Sequence, residues 1–355
     1  MPTQVRFYTP PHPTTSMRIL LVTQMWPSAR EPDLGAFLVP LVRELERLGH
    51  EVEVAAISRR GGPPTKYLRL WREAVRAARS SRPDVVFAHF LFPAGAAGAA
   101  AARAADAPLV VMAHGQDVAN LGRLPGITAA TRRVFRRAAG VIVNSRWLGE
   151  RLREHVDVPD EKLTVADLGV DLDAFAPRDA GAARRELGWE GEGPALLCVG
   201  SLIERKNVVA LADAFARLGR GRLAFVGDGP LRESLLGREG VRLVGRVPQE
   251  QVPLWVAAAD VLCQPSLIEP FGQAALEAMA MERTVVATTE GGPPEFVTPE
   301  AGVLVDPTDD DALLAALERA AGMPAPNAAA RTAAAEHDVR RQAARMAVVL
   351  EAAPG

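Results

Sequence analysis

The most constraining feature of this chain is a rhythm of short, continuous apolar runs separated by helix-length segments, and it occurs twice. In the first half the runs are MRILLVT (17–23), DVVFAHF (84–90), PLVVMAH (108–114) and GVIVNS (140–145), with the alternating EVEVAAI (51–57) as the second strand of the series. Apolar runs of this length, ended by polar residues, fit strands buried on both faces. Between them lie a helix-period segment at 36–48 closed by Gly49, an Ala-rich helix near 94–105 and a helix near 126–138. The rhythm restarts after residue 170 with ALLCVGS (195–201), RLAFVGDG (222–229), VRLVG (241–245), DVLCQPS (260–266), TVVAT (284–288) and GVLVD (302–306). Alternating strands and helices specify an α/β class with parallel, doubly wound sheets. At 355 residues, 48% hydrophobic and 24% charged, the chain has the length and apolar content for two such cores.

The expected organisation is a disordered Pro/Thr-rich tail at 1–16, a first Rossmann-like domain at 17–168 and a second at 169–326. A final helix at about 327–352 is expected to pack back on the first domain. LGVDLDAFAP (168–177) is the linker candidate. Two such domains in tandem leave a cleft between the carboxyl ends of their sheets, where ligands bind. The apolar stretch 85–102 approaches membrane-span character, but His89, Pro93, two glycines and many alanines favour a buried strand followed by a helix. Cys198 and Cys263 sit in strand-like runs and read as buried thiols, and no apolar segment follows the start as in a secretory leader; a cytoplasmic setting is the expectation.

A net charge of −2 excludes the basic excess of a nucleic-acid binder. The charge is unevenly spread, +7 over residues 1–170 and −9 over 171–355. Within the basic half, KYLRLWREAVRAARSSR (66–82) carries six basic residues and one acid, with Tyr67, Leu70, Trp71, Ala74 and Ala78 near one helical face. A helix of this kind can lie on an anionic membrane surface; a domain-surface helix with a core stripe fits as well.

The chemistry is concentrated in SLIEPFGQAALEAMA (266–280). Glu269 precedes a helix and Glu277, flanked by apolar residues, lies inside it. The helix start near Phe271–Gly272 offers free N–H groups and a positive dipole end to a phosphate. A second element, CVGSLIERKNVVAL (198–211), ends a strand at Gly200 and carries Arg205 and Lys206 on a loop, suited to offset charge on a diphosphate leaving group. Only three of the 41 basic residues are lysines.

With GGPPEFV (291–297) downstream, these stretches resemble the E-x7-E signature of retaining glycosyltransferases of family 4. PSAREPDLGAF, AHFLFPAG and VVMAHGQDVANL resemble the subgroup near teichuronic acid and exopolysaccharide biosynthesis transferases. The resemblance implies the GT-B fold and transfer of a sugar from a nucleotide-diphosphate sugar (UDP first, GDP next) with retention. The acceptor would be a glycan, a lipid-linked or a small molecule in cell-envelope or exopolysaccharide synthesis. It also implies no obvious catalytic base, because the departing phosphate can assist the incoming hydroxyl; no resident cofactor is expected, and no essential metal, since no His/Cys/Asp cluster has zinc-site spacing.

By the same resemblance Glu269 contacts the transferred sugar and Glu277 the ribose hydroxyls, while amides around Phe271, Gly272 and Gln273 hold the diphosphate. Lys206 binds phosphate. Ser201 stands where the family often has an arginine, which leaves Arg205 as the substitute cation. Gly35 brings its backbone to the donor phosphate, the turn at Gly229 borders the donor pocket, and Val247 offers backbone groups to the base. His114 faces the sugar and Asp117 the acceptor side. For Gly35, Gly229 and Val247 a purely structural turn serves equally well.

Asp171/Asp173 and Asp309/Asp311 match the D-x-D metal motif of a different transferase fold, but one pair lies in the linker and the other opens a helix. Three other activities remain: a sugar-nucleotide epimerase of the same fold, a nucleotide-sugar-binding protein without catalysis, and a nicotinamide oxidoreductase. The last is disfavoured because Arg232 breaks the G-x-G-x-x-G spacing after Gly227 and Gly229.

Overall fold

The computed structural model describes residues 15–123 and 126–353, so the expected tail at 1–16 falls almost wholly outside the described residues. Two six-stranded sheets follow one another. The first contains β1 (Arg18–Thr23), β2 (Glu51–Ala56), β3 (Val85–His89), β4 (Leu109–Ala113), β5 (Ala138–Val143) and β6 (Leu163–Val165), in the order β2-β1-β3-β4-β5-β6. The second contains β7 (Ala195–Val199), β8 (Arg222–Val226), β9 (Val241–Gly245), β10 (Val261–Gln264), β11 (Thr284–Thr288) and β12 (Gly302–Val305), in the order β12-β11-β10-β7-β8-β9. Every paired strand is parallel.

The central strands β3, β4, β8 and β11 are buried along their whole length, whereas edge strand β2 alternates. That contrast follows from helices covering both faces of the sheet. Each sheet has two apolar clusters, one on either face. β6 was not expected, because the three residues Leu163–Val165 carry no apolar run; edge pairing to β5 makes them a strand.

The Ala-rich helix Ala94–Ala105 owes its composition to close approach: a Cβ at Gly98 would lie 2.8 Å from the Ala88 Cβ of β3. The apolar stretch 85–102 is thus strand then helix, and no described helix is long and apolar enough to cross a membrane.

The C-terminal segment is two helices rather than one. Ala328–Ala335 packs Ala330 and Ala334 into the second domain, and Val339–Glu351 packs Ala343, Met346, Ala347 and Leu350 into the first. Asp338 ends the interruption by accepting from the Arg340 N–H at 2.9 Å. This second crossing lies directly against the linker: Val170 N–H donates to His337 O at 2.8 Å, and Val339 N–H to Val170 O at 3.0 Å. Gly169, at φ +70°, has no room for a side chain there, since a Cβ would fall 2.6 Å from Val339 Cα.

Candidate active site

In the second sheet the strand order reverses between β7 and β10, and the loops leaving both strands open into the interdomain cleft, where doubly wound folds bind ligands. The loop after β7 carries Arg205 and Lys206; the loop after β10 carries Ser266 and Glu269. Lys206 Nζ is ion-paired with Glu269 Oε2. The same oxygen accepts from Gln264 Nε2 at 3.1 Å and Ser266 Oγ at 3.0 Å, and Arg205 Nη1 lies 4.0 Å away. Glu269 is buried, which alone would raise its pKa, but the Lys206 charge and hydrogen bond outweigh burial and hold it below the usual carboxylate range. All these contacts fall on Oε2, so Oε1 has no partner among the described residues. Arg205 is tied to the same loop through Nη1 to Ile268 O at 2.8 Å.

Phe271 and Gly272 lead into the helix Gln273–Ala280, with Gly272 at φ +110° as its first capping residue. That backbone sign is open to glycine and closed to most side chains. Gln273 Nε2 donates to Gly169 O at 2.9 Å and fastens the helix start to the linker. Glu277, one turn further, is 7% exposed, and burial pushes its carboxyl up to about 8; its one side-chain hydrogen-bond partner among the described residues is Gln273 Nε2 at 3.5 Å. Glu277 and Gln273 line an interdomain cavity of about 580 Å³, whose other walls are Ala36, Phe37 and Arg43 of the first domain and Phe175 of the linker. A second cavity of about 240 Å³ adjoins it through the shared Gln249. Gly200, Ser201, Gly227, Val247 and the first-domain residues Asp33 and Arg60 line it. Arg60 is held there by ion pairs to Glu31 and Asp33 at 3.0 and 2.7 Å.

The glycines named from sequence make the loops fit. At Gly35 (φ +68°) a Cβ would fall 2.4 Å from Met25 O, and at Gly229 one would fall 2.4 Å from Leu202 O. Both positions thus have a packing reason for glycine, and Gly35 also leads into the cavity wall at Ala36.

His114 follows β4. It is half-buried between Phe90 and Phe37, at centroid distances of 4.3 and 5.7 Å, with Nε2 3.0 Å from His89 Nδ1. Burial lowers its pKa to about 3, so it is a neutral imidazole at physiological pH. His89, at the end of β3, was not singled out from sequence as its partner. Asp117 is buried, and its carboxylate accepts from the backbone N–H groups of Leu91 (2.9 Å), His114 (3.0 Å), Gly115 (2.8 Å) and Val118 (3.1 Å). That arrangement fixes the His114 loop. The two D-x-D pairs are also local: Asp171 accepts from the N–H groups of Asp173 and Ala174, and Asp309 from those of Asp311 and Ala312.

This fold and cleft are those of a GT-B protein, and the chain compares accordingly. Residues 35–174 match the family described as Glycosyltransferase Family 4, and residues 193–322 that described as Glycosyl transferases group 1. The protein is therefore a glycosyltransferase of the GT-B fold, with a family 4 domain followed by a group 1 domain.

Among its relatives is a protein named as a teichuronic acid biosynthesis glycosyltransferase, TuaC, of Bacillus subtilis. It is 26% identical, over 85% of this chain and 89% of its own length. A GDP-mannose-dependent α-(1-6)-phosphatidylinositol monomannoside mannosyltransferase of Mycolicibacterium smegmatis is 34% identical over 63% of this chain and 64% of its own length. Of solved structures, HepE of Anabaena in complex with UDP-glucose superposes with a TM-score of 0.75 at 23% identity, over 94% of this chain and 99% of that one. Sucrose-phosphate synthase of Thermosynechococcus elongatus does so with 0.77 at 20%, over 93% and 97%. At these identities the structural likeness speaks to fold.

Proposed function

We propose that the protein transfers a sugar, with retention, from a nucleotide-diphosphate sugar to a glycan, lipid-linked or small-molecule acceptor in cell-envelope or exopolysaccharide synthesis. The observation that carries this reading is the Lys206–Glu269 pair at the strand-order reversal of the second domain, beside the helix start at Phe271–Gln273. Without donor, Glu269 neutralises Lys206. A diphosphate arriving at the helix start competes for that ammonium, leaving Glu269 to accept from sugar hydroxyls. Lys206, with Arg205 beside it, then offsets charge on the departing diphosphate. Glu277 accepts from the ribose hydroxyls, and the cavity at Ser201 and Val247 suits the base. The neutral His114 donates or accepts a hydrogen bond but carries no charge. The reading uses positioning and electrostatics, with no resident metal or cofactor.

For the donor, HepE with UDP-glucose supports UDP and the GDP-mannose-dependent relative supports GDP. The test is a thermal-shift series with UDP, GDP and ADP, in EDTA and in magnesium, on wild type and Glu277→Ala. A ligand at 100 times its Kd stabilises by about 2.7 kcal/mol. One nucleotide stabilising in EDTA, with the effect lost in the variant, is expected; no response to any nucleotide would overturn the reading.

Peripheral contact with an anionic membrane is the second part of the proposal. Tyr67, Leu68 and Trp71 on the helix Thr65–Ser81 are 37%, 48% and 44% exposed. Beside them runs a groove of about 820 Å³, floored by alanines and Val134, lined also by Arg79, Arg103, Arg133, Arg136 and Arg137 and by no acid. None of these five arginines has an ion-pair partner among the described residues, and that combination fits anionic headgroups over an apolar floor.

A further inference from the structure

The sequence motif GGPPEFV contains a glutamate, Glu295, to which donor binding assigns no task. It reaches across the cleft. Glu295 Oε2 accepts from the backbone N–H of Arg146 at 3.1 Å and Oε1 from that of Trp147 at 3.0 Å, so a carboxylate of the second domain caps the helix Arg146–Arg153 of the first. Negative charge at a helix N-terminus is favourable. Ser145 caps the same helix from within, accepting from Leu148 N–H at 3.1 Å, and its hydroxyl donates to Pro270 O at 2.7 Å.

Pro270 stands between Glu269 and Phe271 in the candidate donor loop. Its ring packs on Gly115 so closely that a Cβ there would lie 2.2 Å from Pro270 Cγ. Within the second domain the donor loop and the Glu295 turn form one unit, because Glu269 N–H donates to Glu290 O and Gly292 N–H to Glu269 O, both at 2.9 Å. That unit meets the first domain at Gly115, at Ser145 and at the helix start. Gly115 directly follows His114, so these contacts fix the separation between His114 in one domain and Glu269 in the other. Glu295 itself is exposed, and hydrogen bonds open to water exchange readily, as a closure that must also open requires.

We propose that Ser145 and Glu295 are positioning residues that dock the Glu269–Phe271 loop of the second domain on the His114–Gly115 turn of the first, and so hold the cleft in its transfer-competent form. The proposal rests on the donor site read above, but its structural half can be measured without any donor.

Nitroxide labels on cysteines placed at Glu150 and Glu300, both exposed, report the distance between domains. The native Cys198 and Cys263 are buried with their thiols pushed up, Cys198 to about 12, and stay unlabelled. Glu295→Ala and Ser145→Ala are expected to broaden the distance distribution towards longer values. They should also lower release of nucleoside diphosphate from a panel of UDP- and GDP-sugars at least tenfold, with Kd for UDP or GDP within twofold of wild type. Glu295→Gln should be intermediate, since one amide oxygen can still accept from the helix.

Unchanged distances and unchanged turnover would overturn the proposal. So would turnover, Kd and melting temperature falling together, the mark of a merely structural role. If the wild type bound no nucleotide the donor-site reading would fail by itself, and the distance measurement alone would then decide the docking role.

Discussion

Lys206 and Glu269 come from loops 63 residues apart and form an ion pair where the second sheet reverses its strand order. Truncating either partner leaves the other charge buried, a change that costs about 3–5 kcal/mol in comparable sites. Lys206→Ala is therefore expected to lower both melting temperature and turnover. Lys206→Ala combined with Glu269→Gln should recover most of the stability and none of the turnover, because the buried charge is gone but the phosphate-binding cation is still missing. Recovery of both, in calorimetry and a donor-consumption assay, would remove Lys206 from the reaction.

Glu277 gives a pH signature with a definite sign. Its carboxyl is raised from 4.5 to about 8 in the folded protein, so stability from its neutral form is complete below pH 4.5 and is lost as pH rises through about 8. Glu277→Gln should match wild type near pH 4.5 and exceed it above pH 8 by roughly 2–4 kcal/mol. If ribose hydroxyls prefer the ionised form, nucleotide affinity of wild type should rise between pH 6.5 and 8.5 more steeply than that of the variant. Parallel pH profiles in isothermal calorimetry would separate Glu277 from the ribose.

His114, lowered to about 3, should contribute no titration between pH 5 and 9. A turnover profile with an acid limb near pH 6.5 that disappears in His114→Ala would show instead that the imidazole gains a proton in the donor complex.

Gly35→Ala tests packing against backbone approach. The new Cβ meets Met25 O at 2.4 Å on a residue at φ +68°, and should cost about 1–3 kcal/mol. The melting temperature is expected to fall while the loop shifts at the cavity wall. A variant as stable as wild type with weakened nucleotide binding would favour the backbone-approach role.

The groove on the first domain predicts binding to vesicles containing phosphatidylglycerol and little binding to phosphatidylcholine alone. Arg133→Ala/Arg136→Ala/Arg137→Ala should weaken that partition roughly 100-fold, at about 1 kcal/mol per basic residue. Equal recovery on both vesicle types in a flotation assay would remove the membrane contact.

The alternation of apolar runs determined the two doubly wound sheets, because strands covered on both faces must be apolar along their length. The spacing of Glu269, Phe271 and Glu277 marked the helix start and its carboxylates, since Glu269 falls just ahead of the helix Gln273–Ala280 and Glu277 one turn inside it. The resemblance carried by those residues gave the enzyme class that the matching families bear out. What spans elements was decided by tertiary structure alone. Asp117 looked available in the chain, but packing turns its carboxylate onto four backbone N–H groups. The last helical stretch read as continuous, and its break near 336–338 follows from contact with the linker at Gly169 and Val170. Glu295 lies in the GGPPEFV stretch that the resemblance used, but nothing in the sequence assigned a task to it or to Ser145. Their partners lie 149 and 125 residues away, on a face that exists only when the two domains meet. Local periodicity records what each element buries, whereas the pairing of loops from two domains depends on how the finished sheets sit against each other.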